Sequence, residues 1–212
     1  MPTRPLTIVG LGDSTTAGSP YFLSPLEAPP DGRGNPEGQY TYWMTQRHPE
    51  WRVLNRGVNR ERTDQVLRRA ARDAIAPRPE YAIVLAGVND VYQGREVDAA
   101  RADLAAIYRA ISAAGIRVVA ATILPFNTMS REQAEVTEGL NRWISEEARR
   151  SGALFCDTAS VASASDRRDR LAGSSDGLHP DVATYRKMGD AFARLIEASE
   201  GGAEPGEPGA TP

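Results

Sequence analysis

The chain has 212 residues, of which 41% are hydrophobic and 25% are charged, a composition typical of one globular domain with a sizeable core. Its formal net charge of -3 gives no electrostatic reason to expect nucleic acid or an anionic membrane as a partner. The apolar run at residues 6–11 is too short for a signal-peptide core or a membrane span, so we expect a cytoplasmic protein without stable membrane insertion. The single cysteine, Cys156, excludes an intrachain disulfide and is predicted to be a buried, unreactive thiol.

The N-terminal part of the chain alternates between strand and helix patterns. Residues 6–11 predict a buried first strand, which ends at a Gly12-Asp13-Ser14 turn that displays Ser14. Residues 19–39 are rich in Pro and Gly and predict a loop, which either forms part of a substrate pocket or is a solvated surface loop. A helix at 40–48, a strand at 51–58 and a helix at 61–75 follow.

The same alternation continues to the C-terminus. Residues 81–86 predict a strand covered on both faces, which ends at Gly87-Val88-Asn89-Asp90. Helices are predicted at 97–114, from Ser130 to about 150 and from 182 onward, with strands at 118–124 and 154–156 and an irregular segment at 159–177. We therefore expect one domain over residues 1–200, and the Gly- and Pro-rich residues 201–212 predict a disordered tail.

Five buried strands separated by helices predict an α/β fold, a three-layer α/β/α sandwich with a five-stranded parallel sheet. Such sheets bind ligands beyond the carboxyl ends of their strands. Ser14, Gly57, Asn89 and the loop at 176–179 all fall at such positions. We therefore expect these residues to lie near one another.

A serine hydroxyl needs a base within hydrogen-bond reach and a third group to orient that base. The chain has two histidines. His48, before Pro49, predicts a helix-end surface histidine, whereas His179 stands in a loop three residues after Asp176, a spacing that brings a carboxylate onto the imidazole in a tight turn. The same two residues are also compatible with an Asp-Gly turn at a helix start.

Acyl transfer also needs donors for the developing oxyanion. The candidates are the backbone N–H groups of Ser14 and Gly57 and the side-chain amide of Asn89. Taken singly, Gly57 and Asn89 are equally compatible with ordinary turn residues.

Four sequence blocks follow one another along the chain: Gly12-Asp13-Ser14, Gly57, Gly87-Val88-Asn89-Asp90 and Asp176-Gly177-Leu178-His179-Pro180. Their order resembles that of one family, the SGNH hydrolases, or GDSL-like esterases and lipases.

The resemblance spans roughly residues 6–196. It implies Ser14 as the nucleophile, His179 as the base and Asp176 as the orienting acid. It also implies Ser14, Gly57 and Asn89 as the oxyanion hole, a flavodoxin-like fold, and neither metal nor cofactor.

Two departures from the family pattern stand out. Thr15 follows Ser14 where the family name expects leucine, and the second block lacks its second glycine. Arg60 and Arg62 stand in that block, where they either reach the pocket rim and alter substrate preference or are exposed charges at a helix start.

These observations predict a serine hydrolase of carboxylic esters, with a small-molecule, short-chain acyl ester as substrate. A carbohydrate O-deacetylase is the alternative, with Tyr21, Trp43 or Tyr92 stacking on a sugar, followed by thioester or lysophospholipid cleavage. Hypotheses from other classes are a non-catalytic ligand-binding sandwich and a flavin carrier. The sequence leaves the oligomeric state and a lid role for residues 19–39 open.

Overall fold

The computed structural model describes residues 4–18 and 35–201. The greater part of the loop predicted at 19–39, with Tyr21, and nearly all of the tail predicted at 201–212 lie outside these residues. The end of that loop, Pro36–Gly38, is a 3-10 helix that Asn35 caps.

A five-stranded parallel sheet forms the centre of the fold, in the order β2-β1-β3-β4-β5. The prediction of such a sheet is therefore confirmed. Its strands are β1 (Thr7–Gly12), β2 (Arg52–Gly57), β3 (Tyr81–Leu85), β4 (Arg117–Ala121) and β5 (Leu154–Cys156). β6 (Ser163–Ala164) and β7 (Arg167–Leu171) form a separate antiparallel pair.

Helices cover both faces of the sheet. They are α1 (Ser14–Ala17), α2 (Tyr40–Arg47), α3 (Thr63–Ala70) with a π-helical extension (Ala71–Ile75), α4 (Val88–Tyr92), α5 (Val97–Ala113), α6 (Arg131–Ser151), α7 (Thr158–Ala162) and α8 (Val182–Gly201). In the described part of the chain, no helix combines the length and the apolar character needed to cross a membrane.

Two apolar cores separate the three layers, because successive strand residues point to opposite faces. Val9 and Val84 pack with α3, α5 and α6 on one face of the sheet. Ile8 and Ile83 pack with α2 and α8 on the other face. Both faces of the central strands are thus buried, which explains their continuous apolar sequences.

The structure differs from the predictions mainly after β4. This strand ends at Ala121 rather than at residue 124, because the backbone N–H and C=O of Ile123 bond to the side-chain amide of Asn141 instead of a neighbouring strand. The segment predicted to be irregular at 159–177 contains α7 and the β6–β7 pair, and the short helix α4 was not predicted. Cys156 is 6% exposed, so the prediction of a buried thiol is confirmed. Burial raises the pKa of this thiol to about 12, which supports the prediction that it is unreactive.

Candidate active site

The candidate site lies at the point where the strand order of the sheet reverses. β1 lies between β2 and β3, and Gly12 at its end is in register with both Gly57 and Leu85. Chain connections that leave a parallel sheet in opposite directions open a crevice at this point. Ser14 follows β1 and Asn89 follows β3, so the fold places both at the rim of the same crevice.

The turn that carries Ser14 is held by Asp13, the N-cap of α1. One carboxylate oxygen of Asp13 accepts hydrogen bonds from the backbone N–H of Thr15, at 2.9 Å, and from its hydroxyl, at 2.7 Å. Thr15, where the family name expects leucine, thus adds a second bond to the cap. Burial raises the pKa of the fully buried Asp13 to about 6, although the bonds from Thr15 and the charge of His179 oppose this shift.

Gly12 and Arg69 fix the approach of β1 to this turn. A Cβ at Gly12 would lie 2.1 Å from the backbone oxygen of Leu85, so no larger residue fits. The Arg69 guanidinium donates to the carbonyl of Gly12 at 2.7 Å and pairs with Glu61 at 2.5 Å. Arg69 is only 7% exposed, and the sequence offered no signal for a buried arginine in this role.

Ser14, His179 and Asp176 form a continuous hydrogen-bonded chain. The Ser14 Oγ lies 2.8 Å from His179 Nε2, and His179 Nδ1 lies 2.6 Å from Asp176 Oδ2. The chain joins the end of β1 to the loop before α8, 165 residues apart in sequence. This is the arrangement in which an imidazole removes a hydroxyl proton while a carboxylate orients its ring.

Asp176 is held in place by its own loop. Its Oδ1 accepts hydrogen bonds from the backbone N–H groups of Leu178, at 2.9 Å, and His179, at 2.8 Å, and from the hydroxyl of Ser174, at 3.2 Å. Partial burial raises the pKa of this carboxyl, but the bonds from the His179 ring and from the two N–H groups together outweigh burial and hold the pKa well below its usual range. Asp176 is therefore ionised at neutral pH.

Gly57 ends β2 where α1 passes close to the strand. A Cβ at Gly57 would lie 2.0 Å from the backbone nitrogen of Ala17. Its N–H donates to the side-chain oxygen of Asn55 at 3.0 Å. Close packing thus explains the absence of a side chain, and donation from Gly57 to an oxyanion stays a prediction.

Asn89 lies in the first turn of α4 and is 7% exposed. Its side-chain nitrogen donates to the carbonyl of Glu61 at 2.9 Å. An amide nitrogen carries two hydrogens, so one remains for a second acceptor. Ser14 is the first residue of α1, and the first N–H groups of a helix have no carbonyl acceptor within the helix. The backbone N–H of Ser14 can therefore donate to another acceptor.

The next residue, Asp90, joins α4 to the start of α3. It is 1% exposed and accepts hydrogen bonds from the backbone N–H of Thr63 at 2.9 Å and from Arg95 at 2.7 Å. These bonds hold the helix that carries Asn89 against the segment that carries Glu61.

His48 does not belong to this site. It follows α2, stacks on Trp51 at 3.8 Å and lies 2.5 Å from a carboxylate oxygen of Glu197 on α8. Its side chain is 12% exposed, so it is more buried than the predicted surface histidine.

A cavity of about 810 Å³ lies between α6, β5 and the β6–β7 pair, and its described lining contains none of the predicted site residues. Hydrogen-bond geometry, rather than this cavity, therefore locates the candidate site. Within residues 4–18 and 35–201, no cluster of three or more His, Cys, Asp or Glu side chains is arranged to hold a metal ion.

Comparison with known proteins places this geometry in a family context. The profile of the GDSL-like Lipase/Acylhydrolase family matches residues 11–187 of the chain. This match includes the predicted residues from Ser14 to His179. A search of curated proteins finds no match to the chain.

Solved structures share the fold. A protein of the G-D-S-L lipolytic family from Desulfitobacterium hafniense is 22% identical, with a TM-score of 0.75 over 90% of this chain and 99% of the other. An acetylxylan esterase from Geobacillus stearothermophilus is 21% identical, with a TM-score of 0.72 over 96% and 98%. A GDSL-like lipase from Bacteroides thetaiotaomicron is 19% identical, with a TM-score of 0.69 over 91% and 88%. The three-layer sandwich is thus that of known solved structures.

Proposed function

The chain belongs to the GDSL-like Lipase/Acylhydrolase family, and on this premise we propose that it is a serine hydrolase that cleaves carboxylic esters, most readily those with short acyl chains. The observation that carries the proposal is the hydrogen-bonded chain of Ser14, His179 and Asp176, with links of 2.8 and 2.6 Å. The same three residue types in this order of contact activate serine nucleophiles on unrelated folds.

The first half of the reaction transfers the acyl group to Ser14. His179 Nε2 takes the proton of the Ser14 hydroxyl as its oxygen attacks the ester carbonyl, and a tetrahedral oxyanion forms. The imidazolium then gives that proton to the leaving alcohol as the bond between the carbonyl carbon and the alcohol oxygen breaks. Ionised Asp176, 2.6 Å from His179 Nδ1, stabilises the positive charge that the ring carries between these steps.

The second half repeats this chemistry with water. His179 takes a proton from a water molecule, which attacks the acyl carbon. The proton returns to Ser14 Oγ as the acyl–serine bond breaks, and the carboxylic acid leaves. In both halves the proposed oxyanion donors are the backbone N–H groups of Ser14 and Gly57 and the Asn89 amide. The Gly57 N–H can donate only after its hydrogen bond to the Asn55 side chain breaks.

Replacement of Asn89 by alanine is expected to lower kcat for ester hydrolysis by about 10²- to 10³-fold, the usual effect of losing one oxyanion donor. The KM should change little, because the oxyanion exists only in the transition state. Steady-state kinetics on a p-nitrophenyl ester measures both constants.

Asn141→Ala is the matched control, because it also removes a side-chain amide that hydrogen-bonds a backbone segment. Asn141 bonds the backbone of Ile123, as Asn89 bonds the backbone carbonyl of Glu61. We expect Asn141→Ala to lower the unfolding temperature but to keep kcat. Full activity of Asn89→Ala, or an equal loss of kcat in both variants, would remove Asn89 from the oxyanion hole.

A carbohydrate O-deacetylase is the second candidate, and exposed Tyr92 favours it. This side chain is 52% exposed, and no other large hydrophobic side chain of the described residues is exposed. It stands three residues after Asn89 on α4, so the two share a helix face, and its ring meets Phe126 edge-on at 5.5 Å. Trp43 is less suited to stacking on a sugar, because its ring nitrogen bonds Glu37 and Arg186 lies over the ring at 5.2 Å.

Tyr92→Ala is expected to raise the KM for an acetylated xylose by about two- to tenfold, the range of a single aromatic contact, while kcat for p-nitrophenyl acetate stays unchanged. Tyr92→Phe, which keeps the ring, should keep the wild-type KM. Steady-state kinetics on the two acetyl esters provides the comparison. If Tyr92→Ala leaves the KM for the sugar ester unchanged, Tyr92 is not a sugar platform and the deacetylase alternative loses its support.

A further inference from the structure

Arg60 has a backbone conformation that is unusual for a residue with a side chain. Its φ is 65°, in the left-handed region that favours glycine. Among the described residues, one other residue that is not glycine, Arg78, has a positive φ, of 51°. Such conformations cost free energy and persist only where the surrounding structure imposes them, so they direct attention to function.

The backbone around Arg60 is held against the candidate oxyanion donor. The carbonyl of Glu61 accepts from the Asn89 side chain at 2.9 Å, and the carbonyl of Arg60 accepts from the Gln93 side chain at 3.4 Å. Since consecutive Cα atoms are about 3.8 Å apart, the Cα of Arg60 lies within about 9 Å of the Asn89 amide. The long side chain of Arg60 therefore starts close enough to contact a substrate bound beside that amide.

Arg60 forms no ion pair with the carboxylates of the neighbouring described segments, because each of them pairs with another arginine. Glu61 pairs with Arg69 at 2.5 Å, and Asp90 pairs with Arg95 at 2.7 Å. Asp64 is shared between two other arginines, Arg62 at 3.1 Å and Arg68 at 3.2 Å. Within residues 4–18 and 35–201, Arg60 is exposed and makes no ion pair.

Arg62 is the other arginine of this segment, and its guanidinium is already engaged. Besides the pair with Asp64, its Nη1 donates to the side-chain oxygen of Gln93 at 3.0 Å. Gln93 thus bridges Arg62 and the carbonyl of Arg60. These contacts fix the backbone and leave one guanidinium, that of Arg60, available to a ligand.

We propose that Arg60 forms an anion subsite at the rim of the active site and that the preferred esters carry a carboxylate, in either the acyl or the alcohol half. This inference rests on the ester hydrolysis proposed above and specifies its substrate class. An exposed cation within reach of the reaction centre attracts an anionic substrate and orients it once bound. It discriminates against neutral esters of the same shape only through this charge.

The test compares two matched pairs of esters. p-Nitrophenyl butyrate and p-nitrophenyl hemisuccinate differ by a carboxylate in the acyl half, and phenyl acetate and 4-acetoxybenzoate differ by one in the alcohol half. We expect Arg60→Gly to lower kcat/KM for the anionic ester of at least one pair by about three- to fivefold, the effect of one exposed ion pair. The neutral esters should stay within about twofold of wild type, because the subsite adds nothing to their binding. The pair that responds identifies which half of the ester faces Arg60.

Arg78→Gly is the matched control, since Arg78 is also exposed, also has a positive φ, and stands before β3 at the opposite end of the sheet from Ser14. In both variants glycine removes the cost of the left-handed conformation, which stabilises the fold, but it also gives the unfolded chain more backbone freedom, which destabilises it. Because these two effects oppose each other, we expect little change in the unfolding temperature. Arg78→Gly should keep the wild-type preference for the anionic esters. Arg60→Lys, which keeps the charge, should retain most of it.

Ionic strength provides a second measure. Raising the salt concentration to about 0.5 M should lower the anionic-to-neutral ratio of kcat/KM for the wild type, because salt screens an exposed charge. The same ratio for Arg60→Gly should not change. Unchanged anionic-to-neutral ratios in Arg60→Gly for both pairs would overturn the anion subsite while leaving ester hydrolysis intact. Failure of the wild type to hydrolyse any of the four esters would refute the proposed function itself, and the subsite with it.

Discussion

Replacement of Ser14 by alanine is expected to lower kcat for ester hydrolysis by about 10⁴- to 10⁶-fold, the range for loss of a serine nucleophile. The variant has no oxygen to form the acyl–serine bond, so His179, 2.8 Å from Ser14 Oγ, has no proton to take. The turn itself should survive, because its cap depends on Asp13 and Thr15 rather than on the Ser14 hydroxyl.

The measurement is hydrolysis of p-nitrophenyl esters from acetyl to long acyl chains, with wild type and Ser14→Ala side by side. We expect activity to be highest on the short chains, which is the profile of an esterase. Activity that rises toward long chains would instead indicate a lipase with the same mechanism.

Labelling with a fluorophosphonate probe provides an independent readout of the nucleophile. Wild type should react, Ser14→Ala should not, and Ser112→Ala, which removes an exposed hydroxyl on α5, should react like wild type. If wild type neither hydrolyses any ester nor takes up the probe, the catalytic proposal fails. The protein would then be a ligand-binding member of the same fold.

Replacement of Asp176 by asparagine is expected to lower kcat by about 10²- to 10⁴-fold with little change in KM. An asparagine can keep the bonds that Oδ1 accepts from Leu178 and His179. Its amide nitrogen, however, would face His179 Nδ1 and donate to it, which places the ring proton on Nε2. A protonated Nε2 cannot take the proton of Ser14.

The pH dependence of stability checks the state of Asp176 separately. Because its folded-state pKa lies below the value of an ordinary aspartate, the ionised carboxylate stabilises the fold above about pH 4, and this contribution is lost as the pH falls below that value. Urea unfolding at neutral and acidic pH should show a larger loss of stability in wild type than in Asp176→Asn. The loss that the two proteins share comes from other carboxylates with lowered pKa values, such as Asp73 and Glu197.

Ser174→Ala serves as the control for the Asp176 variant. It removes the weakest bond to the Asp176 carboxylate, at 3.2 Å, and leaves the 2.6 Å contact with His179 in place. We expect its kcat to stay within a few-fold of wild type. A large loss in Ser174→Ala, or wild-type kcat in Asp176→Asn, would mean that Asp176 does not set the tautomer of His179.

Much of the fold could be predicted from the sequence because the signals are local. Continuous apolar runs and helical spacing predicted the five parallel strands and the long helices, and the capping box at Ser130 and Gln133 starts α6 as expected. The short elements α1, α4, α7 and β6–β7 were missed. They contain too few residues to show a periodic sequence pattern, and tertiary contacts provide most of their stability.

The candidate catalytic chain was also within reach of the sequence, since Ser14, Asp176 and His179 lie in short motifs at predicted strand and helix ends. What their side chains contact depends on the tertiary structure. The 165-residue separation of Ser14 and His179 closes to 2.8 Å only because the sheet brings the ends of β1 and of the loop before α8 to one edge. The burial of Arg69, the close approach of Ala17 to Gly57 and the left-handed conformation of Arg60 had no sequence signal, because each depends on atoms that are distant along the chain or on a backbone angle. A motif can thus predict which groups do the chemistry, whereas the positions of the groups that orient them follow from packing between elements.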